Sequence, residues 1–362
     1  MSSTAGLSTM NKVTNYIEQE VPELGQKQSP VRWAIMMALP FLVFFISMFL
    51  GRYDVTPVEV LKIFANTVFR TNFEQTWTDS AQKVIVQVRF PRAVMAAFVG
   101  AGLSMSGAAF QGMFQNPLVS PFILGVSAGA SFGAALGLVL SLPYMGVQAM
   151  AFVFGMLAVA ITYFLARIYK TTPVLMLVLS GTVVSAFFQA LLSIIKFTAE
   201  GDEKLPAITF WLMGSLGSVS LGDLAISLIP IVICCTGLMI LRWRINLLSM
   251  GEREAKSLGV NVQRTNLLII IFSTVITSTA VSICGIIGWV GQVIPHFCRM
   301  VVGPDHKMLI PATMFVGATY ILLVDNLCRL LTASEIPLGI LTAIIGAPVF
   351  AYLLRRTKGG WN

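Results

Sequence analysis

Few residues in the long apolar stretches of this chain could carry out chemistry. Lys196, Asp325 and Arg329 fall near the ends of such stretches, and His296 follows Pro295 in a broken segment. Pumps and proton-coupled carriers usually keep ionisable groups at bilayer depth, and no cluster of that kind is visible. The sequence therefore offers no obvious group for ion coupling or for catalysis inside a membrane. His296 is interpreted as a core or interfacial histidine.

Metal, redox and nucleotide chemistry also lack a signature in the sequence. The five cysteines lie in apolar runs without a CxxC pair or a histidine at ligand spacing, as expected of small buried hydrophobic residues. The chain has no GxxxxGK(S/T) phosphate-binding motif. We therefore predict no cofactor and no metal in this chain. Any ATPase that drives it must be a separate protein, which would hold the ATP and Mg²⁺.

The composition is typical of a membrane protein. Hydrophobic residues make up 56% of the chain and charged residues 11%, against about 25% charged residues in a soluble domain. Residues 93–166 contain no Asp, Glu, Lys, Arg or His. At about 1.5 Å of rise per residue, this stretch can cross a hydrocarbon layer of roughly 30 Å three times. The net charge of +8 is distributed as membrane topology requires, so no nucleic-acid partner is predicted.

Charge-poor runs of about 17 residues or more predict ten membrane-spanning helices. Pro and Asn residues at 115–121 and 141–144 divide the long uncharged stretch. The segment 205–222 is rich in Gly and Ser and is predicted to form a short helix in a loop. The predicted spans are 33–50, 92–113, 121–140, 147–167, 173–195, 224–241, 265–284, 286–302, 308–325 and 336–354.

An even number of spans places both termini on one side of the membrane. Placing them inside gives the inner segments the excess of Lys and Arg, in agreement with the positive-inside rule. We therefore predict an all-α integral membrane protein with cytoplasmic termini. Residues 1–30 would form a cytoplasmic N-terminal extension, 31–356 the transmembrane domain and 357–362 a cytoplasmic tail. Residues 1–30 lack the features of a signal peptide, so the first helix is predicted to be retained.

Three arginines lie on the predicted outer side, where the positive-inside rule disfavours them. Arg89 and Arg92 flank Phe-Pro at the start of the second span, and Arg329 precedes the last span. These side chains either snorkel to the membrane interface or meet carboxylates on an external partner.

A short amphipathic helix is predicted over 249–258, on the inner side. Ser249 and Glu252 have the spacing of a capping box, and Glu252 and Lys256 that of a favourable i, i+4 pair. Gly259 suits the left-handed position after a helix end. Such a helix either packs on neighbouring helix ends or docks a soluble partner. Its apolar positions would form one stripe: Leu248, Ala255 and Leu258.

Four glycines recur at i, i+4 spacing on one helix face: Gly125, Gly129, Gly133 and Gly137. Glycine lets helix backbones approach closely within lipid. This face either packs inside the subunit or forms a wall of a translocation path, and the sequence does not separate these interpretations.

Eight short motifs are spread in order over residues 85–356. They are 89–92 (RFPR), 107–118 (GAAFQGMFQNPL), 124–129 (LGVSAG), 248–252 (LSMGE), 258–260 (LGV), 288–296 (GWVGQVIPH), 303–306 (GPDH) and 336–348 (IPLGILTAIIGAP). Together they resemble the motifs of a known family, the permease subunits of iron-siderophore, haem and vitamin B12 ABC importers.

The resemblance implies a homodimer in a prokaryotic cytoplasmic (inner) membrane, surrounded by lipid, with a translocation path between two ten-helix subunits. It also implies two cytoplasmic ATPase subunits and an extracytoplasmic substrate-binding protein. Arg89, Arg92 and Arg329 match arginines that salt-bridge to the binding protein. The coupling helix that docks on the ATPase would include Ser249, Gly251, Glu252, Ala255, Leu258 and Gly259. The gates and path would include Asn116, Leu118, Thr171, Thr172, Gly125, Ser127 and Gly129.

The function expected from this resemblance is ATP-dependent import of an iron chelate. A ferric siderophore is preferred on family frequency, with haem and cobalamin as further candidates. The small, uncharged residues expected along the path predict that the permease alone has no tight binding site for cargo. An ion-coupled secondary transporter is the alternative from another class, and a membrane-embedded enzyme is the third.

Overall fold

The structure is a computed structural model, and it describes residues 29–167, 173–199, 203–332 and 334–356. All regular elements of these residues are helices. Contacts divide the chain into a unit up to Ile35 and a unit from Met36 onward, and the sites below belong to the second unit. The helices are α1 (Pro30–Phe49), α2 (Pro57–Phe69), α3 (Asp79–Met113), α4 (Val126–Val139), α5 (Tyr144–Ala166), α6 (Val174–Thr198), α7 (Lys204–Met213), α8 (Leu221–Met250), α9 (Glu252–Ser257), α10 (Val262–Cys284), α11 (Val290–Val302), α12 (His306–Leu330) and α13 (Leu338–Arg356).

Seven helices of the described residues are long and apolar enough to cross a membrane: α1, α3, α5, α6, α8, α10 and α12. The other three predicted spans coincide with α4, α11 and α13. These helices are shorter or less apolar than a candidate membrane span. The all-helical membrane fold is thus confirmed, and the number of ten crossings stays a prediction.

The predicted helix boundaries agree with the structure in two difficult places. The stretch 265–302 is divided as predicted, because α10 ends before Gly285, whose φ of +67° breaks the helix. The predicted short helix in 205–222 is α7. Several predicted boundaries were wrong. α3 begins at Asp79 and not at 92, α4 begins at Val126 and not at 121, and α12 ends at Leu330 and not at 325. α8 continues past residue 241 to Met250, because Arg242 and Arg244 are exposed and do not interrupt it.

The sequence analysis missed α2, which follows the first span. Its N-terminus is a capping box in which the Thr56 backbone donates to Glu59 (2.9 Å) and Thr56 Oγ1 accepts from the Glu59 backbone (3.4 Å). Hydrogen bonds from Thr56 lower the pKa of the Glu59 carboxyl. Val60 and Ile63 are buried, whereas Val58 and Leu61 are exposed. A search for long uncharged runs cannot find such a short charged helix.

Helix α3 lies at the centre of the bundle and is buried along most of its length, with α8, α10, α11 and α12 packed around it. Glycines allow these close contacts. A Cβ atom at Gly107 would overlap the backbone of Gly291 in α11, and one at Gly100 would overlap the backbone of Gly317 in α12. Close backbone approach through small residues is typical of helix packing in membranes.

The predicted glycine face of α4 packs inside the subunit. Gly129 and Gly133 lie against the backbone of α5, and Gly137 lies against Val147 of the same helix. Gly125 precedes α4 with a φ of +89°. Gly129, Gly133 and Gly137 therefore pack inside the subunit, and a role of Gly125 and Gly129 in a path stays a prediction. Ser127 lies on the opposite side of α4, where its role in a path stays a prediction.

Candidate functional site

Polar groups concentrate at the two ends of the helix bundle. At the first, which we call the arginine end, the first half of α3 meets the end of α12. Arg92 Nε lies 2.9 Å and 3.1 Å from the two carboxylate oxygens of Asp325, and Arg92 Nη2 lies 2.9 Å from Asp325 Oδ1. Arg92 Nη1 lies 2.8 Å from Glu335 Oε2. Arg92 is 4% exposed and Asp325 2%, whereas the Glu335 side chain is 41% exposed.

Arg329 belongs to the same network. Its Nε lies 3.4 Å from Asp325 Oδ2, and its Nη2 donates to Asn326 Oδ1. Asn326 Nδ2 donates in turn to Ser47 Oγ of α1 at 2.7 Å, and Arg52 Nε donates to the Arg329 carbonyl at 3.2 Å. Arg329 is buried, so its charge is balanced inside the protein.

Arg89 is also buried, within a ring of carbonyl groups. It donates to the Met48 carbonyl at 2.9 Å and to the Tyr53 carbonyl at 2.6 Å. A Cβ atom at Gly51 would touch its guanidinium. All three predicted docking arginines are thus brought to one end but are buried and hydrogen-bonded, which excludes the snorkelling interpretation. Docking to an external partner stays a prediction, and it requires these contacts to open.

The other end, which we call the short-helix end, carries α9. This helix has six residues, and its N-cap is Gly251, whose φ is +137°. Ser249 still belongs to α8 and donates to the Asn246 carbonyl at 2.8 Å. The predicted capping box between Ser249 and Glu252 is therefore wrong, because α8 extends one residue beyond Ser249 and the chain turns only at Gly251.

Other predicted features of α9 are confirmed. Glu252 and Lys256 form an i, i+4 pair at 3.6 Å, and Gly259 follows the helix with a φ of +82°. The single apolar stripe is wrong, however. Ala255 is fully buried but Leu258 is 57% exposed, because α9 ends at Ser257 and the chain leaves the helical path.

Helix α9 packs against the bundle through its buried side. Val260 donates to the Ala255 carbonyl at 2.9 Å and closes the end of α9, and Gln115 Nε2 donates to the carbonyl of Leu248, at the end of α8, at 3.1 Å. Ala255 and Leu248 both belong to the main hydrophobic core. The charged side of α9 remains exposed. Packing on helix ends is thus confirmed, and it leaves a charged surface for a partner.

The predicted gate residues Asn116 and Leu118 lie in the turn after α3, at the short-helix end. Asn116 Oδ1 accepts from the Leu118 backbone at 2.9 Å, a local turn that keeps this segment out of a helix. The α11 residue Gln292 donates to the Leu118 carbonyl at 2.7 Å. Leu118 is 43% exposed. Thr171 and Thr172 lie outside the described residues.

Helix α6 carries a polar stripe that the sequence analysis missed. Thr182, Gln189 and Ser193 lie on its exposed side. The hydroxyls of Thr182 and Ser193 donate to carbonyls one turn earlier, at 2.9 Å. The side-chain amide of Gln189 has no hydrogen bond to the described residues. The signal was in the sequence, because positions 182, 186, 189 and 193 follow helical spacing with small or polar residues.

The described residues contain no group of three or more His, Cys, Asp or Glu side chains placed to hold a metal ion. His296 is 3% exposed and packs edge-on against Phe350, with ring centroids 6.3 Å apart. It is therefore a core histidine, as predicted.

Long apolar helices packed through glycine backbones, with charged networks at the two ends, define a polytopic helical membrane protein. Residues 38–356 match the model of the FecCD transport family, and the chain belongs to that family. It is 42% identical over 318 residues to the molybdate import system permease protein of Haemophilus influenzae, covering 88% of this chain and 93% of that protein.

Two further similarities extend over most of the chain. The cobalamin import system permease protein of Halobacterium salinarum is 41% identical over 278 residues, which cover 76% of this chain and 74% of that protein. A solved ABC transporter assigned to the metal-chelate type, in an inward-facing conformation, has 40% sequence identity and a TM-score of 0.80. That match covers 90% of this chain and 99% of the solved one.

Proposed function

We propose that this chain is the membrane-spanning subunit of an ATP-driven importer in a prokaryotic cytoplasmic membrane. The observation that carries the proposal is the family match, which extends over residues 38–356 and thus over nearly the whole helical domain. Relatives named as import permeases match over comparable lengths. The complex would contain a second copy of this chain, two cytoplasmic ATPase subunits and an external substrate-binding protein.

The alternative of an ion-coupled carrier has less support. The carboxylate buried most deeply at a helix end, Asp325, is paired with Arg92 and Arg329, so it is poorly suited to bind and release a proton or sodium ion. The sequence has no phosphate-binding loop. The energy is therefore assigned to ATP hydrolysed by a separate subunit, and this chain is not an enzyme.

The polar stripe of α6 supports a path between two copies. A primary amide placed in hydrocarbon without a partner costs about 4–8 kcal/mol, so Gln189 is expected to face water or a second protein surface. The same side of α6 exposes large apolar groups along its length, including Leu175, Val183 and Phe187. We infer that this side of α6 faces the second copy and the translocation path.

The two ends of the bundle then have different tasks. The arginine end would face outward and receive the binding protein. The short-helix end would face the cytoplasm, where the charged side of α9 would dock on an ATPase subunit. Closure of the ATPase pair would push α9 and shift the helix ends that hold Asn116 and Leu118. Such movement is hinge and shear between packed helices.

The proposed cargo is a metal chelate, with an iron-siderophore complex preferred. A second candidate is molybdate, which the sequence analysis did not consider. It is favoured by one specific observation, the 42% identity to a molybdate permease over nearly the full length of both chains.

Reconstitution of the full complex tests the proposal. We expect uptake into proteoliposomes to require the binding protein and hydrolysable ATP, and a screen of molybdate, ferric siderophores, haem and cobalamin to select the cargo. Uptake by the permease alone in an ion gradient would contradict the proposal.

A charge reversal tests the ATPase contact. Glu252→Lys removes an exposed pair worth about 0.3–0.5 kcal/mol, so the fold should persist while ATPase recovery and stimulated hydrolysis fall. The matched control is Arg242→Glu, which reverses an exposed charge at the same end but outside α9. Equal behaviour of the two variants would place the ATPase contact elsewhere.

A further inference from the structure

A cavity of about 460 Å³ opens at the short-helix end, beside the membrane-spanning part of the bundle. It lies between the end of α5, the starts of α6 and α10, and α9. Its lining is partly polar and partly apolar. The polar lining includes Arg167, Lys256, Arg264 and Asn266, and the apolar lining includes Leu177 and Leu267.

The cavity carries an excess of positive charge. Arg167, Lys256 and Arg264 face a single lining carboxylate, Glu252, which is paired with Lys256 at 3.6 Å. Arg167 and Arg264 form no ion pair with the residues that the structure describes. Two guanidinium groups thus lack a counter-charge among the residues that the structure describes. Guanidinium groups favour phosphate, which they bind through two parallel hydrogen bonds.

The start of α10 adds to this attraction for anions. This helix has 23 residues and begins in the cavity wall at Val262, with Asn261 as N-cap. Its first-turn residues Val262, Gln263 and Arg264 line the cavity, and the cap accepts from the Arg264 N–H at Asn261 Oδ1 (3.0 Å). The positive end of the helix dipole therefore points toward the cavity, an arrangement that favours phosphate.

A buried polar group in the wall points to a ligand independently. Asn266 lies one turn further along α10 and is only 8% exposed, and its Oδ1 atom has no hydrogen-bond partner within the described part of the chain. A buried amide without a partner is costly, and such groups are normally satisfied by protein, water or a ligand. Its amide can accept from a ligand hydroxyl or, after rotation by 180°, donate to a phosphate oxygen.

The surface beside the cavity is apolar and suits hydrocarbon. Phe164 and Leu165, in the last turn of α5, are 69% and 54% exposed. Helix α5 is a candidate membrane span. A basic cavity with an apolar rim at the end of membrane helices is the arrangement that binds anionic lipid head groups.

We propose that this cavity binds a phosphate group, and that its source is an anionic phospholipid whose acyl chains lie along α5. The inference is independent of the cargo and of the direction of transport. Because the cavity adjoins Glu252 and Lys256, a bound head group would also help to hold α9 in place.

The test measures thermal stability of the purified full-length protein in a zwitterionic detergent, with added phosphatidylglycerol, phosphatidylcholine or inorganic phosphate. We expect phosphatidylglycerol to raise the Tm by about 2–4 °C at saturation and phosphatidylcholine of the same chain length to raise it less. The shift should vanish in Arg167→Gln/Arg264→Gln. The matched control, Arg242→Gln/Arg244→Gln, removes the same charge at the same end from exposed residues outside the cavity, and it should keep the shift.

Each result of this experiment either supports or contradicts the proposed phosphate site. An arginine-dependent shift with inorganic phosphate as well would support the phosphate chemistry and add a free anion as its source. Equal shifts for both lipids, or a shift that survives in Arg167→Gln/Arg264→Gln, would overturn the proposal. If that variant does not fold, the wild-type protein is labelled with a photoreactive phosphatidylglycerol. Labelled peptides from the end of α5 and the start of α6 are expected, and labelling confined to other helices would count against the site.

Discussion

Arg92 and Asp325 form a buried ion pair that joins the first half of α3 to the end of α12, with three N–O distances of 2.9–3.1 Å. The two residues are 233 positions apart in the sequence. Desolvation of two charges is costly, and only close pairing with further hydrogen bonds offsets it. The pair therefore fixes the relative position of two central helices at the arginine end.

Loss of one partner is expected to be more harmful than loss of both. Arg92→Leu leaves the buried Asp325 with only its longer contact to Arg329, and Asp325→Leu leaves the buried Arg92 with only the partly exposed Glu335. Each change leaves a buried charge incompletely balanced and should cost up to about 3–5 kcal/mol of stability. The double variant should recover part of this loss. Thermal unfolding in detergent measures the effect, with Arg242→Leu at an exposed position as control. A single variant as stable as the wild type would show that the pair is not structural.

Glu335 offers a separate test of docking at this end. It is the exposed partner of Arg92 Nη1 and would compete with a carboxylate of the binding protein. If Arg92 takes part in docking, Glu335→Gln should tighten binding, by up to about fivefold, since a partly exposed pair contributes about 0–1 kcal/mol. Binding-protein affinity for the permease in nanodiscs is the measurement. The control is Glu74→Gln, a change of an exposed residue before α3, which should leave the affinity unchanged. An unchanged affinity in Glu335→Gln as well would contradict a docking role for Arg92 Nη1.

The sequence predicted those features that depend on local chemistry. Apolar runs located the membrane helices, and Gly259 was assigned its left-handed turn from the glycine alone. The partner of Arg92 could not be predicted, because Asp325 reaches it only through the packing of α3 on α12. The predicted capping box at Ser249 was wrong for a related reason. The spacing of a capping box is local, but whether α8 stops before or after Ser249 depends on the burial of Leu248 in the core.

The orientation of the bundle is tested by labelling. In a variant without native cysteines, Glu74→Cys at the arginine end should react with an impermeant thiol reagent in intact cells. Arg253→Cys, exposed on α9, should react only after the membrane is opened. The positive-inside distribution of charge is the reason for this expectation. The opposite pattern would reverse the proposed roles of the two ends.

Gln189 tests where the translocation path runs. If its amide faced lipid, Gln189→Leu would remove a polar group from hydrocarbon, so that stability would rise and transport would persist. We expect instead that Gln189→Leu does not raise stability and lowers transport. The substitution removes an amide whose hydrogen bonds to cargo, water or the second copy are then lost. Hydrogen bonds of this kind within membranes contribute about 0.6–2 kcal/mol, so ATP-driven uptake by the reconstituted complex should fall by roughly three- to thirtyfold. Gln189→Asn, which keeps an amide, should retain more uptake than Gln189→Leu. Val183→Leu, an apolar change on the same exposed side of α6, should have little effect. A Gln189→Leu variant that is more stable than the wild type and transports normally would remove α6 from the path.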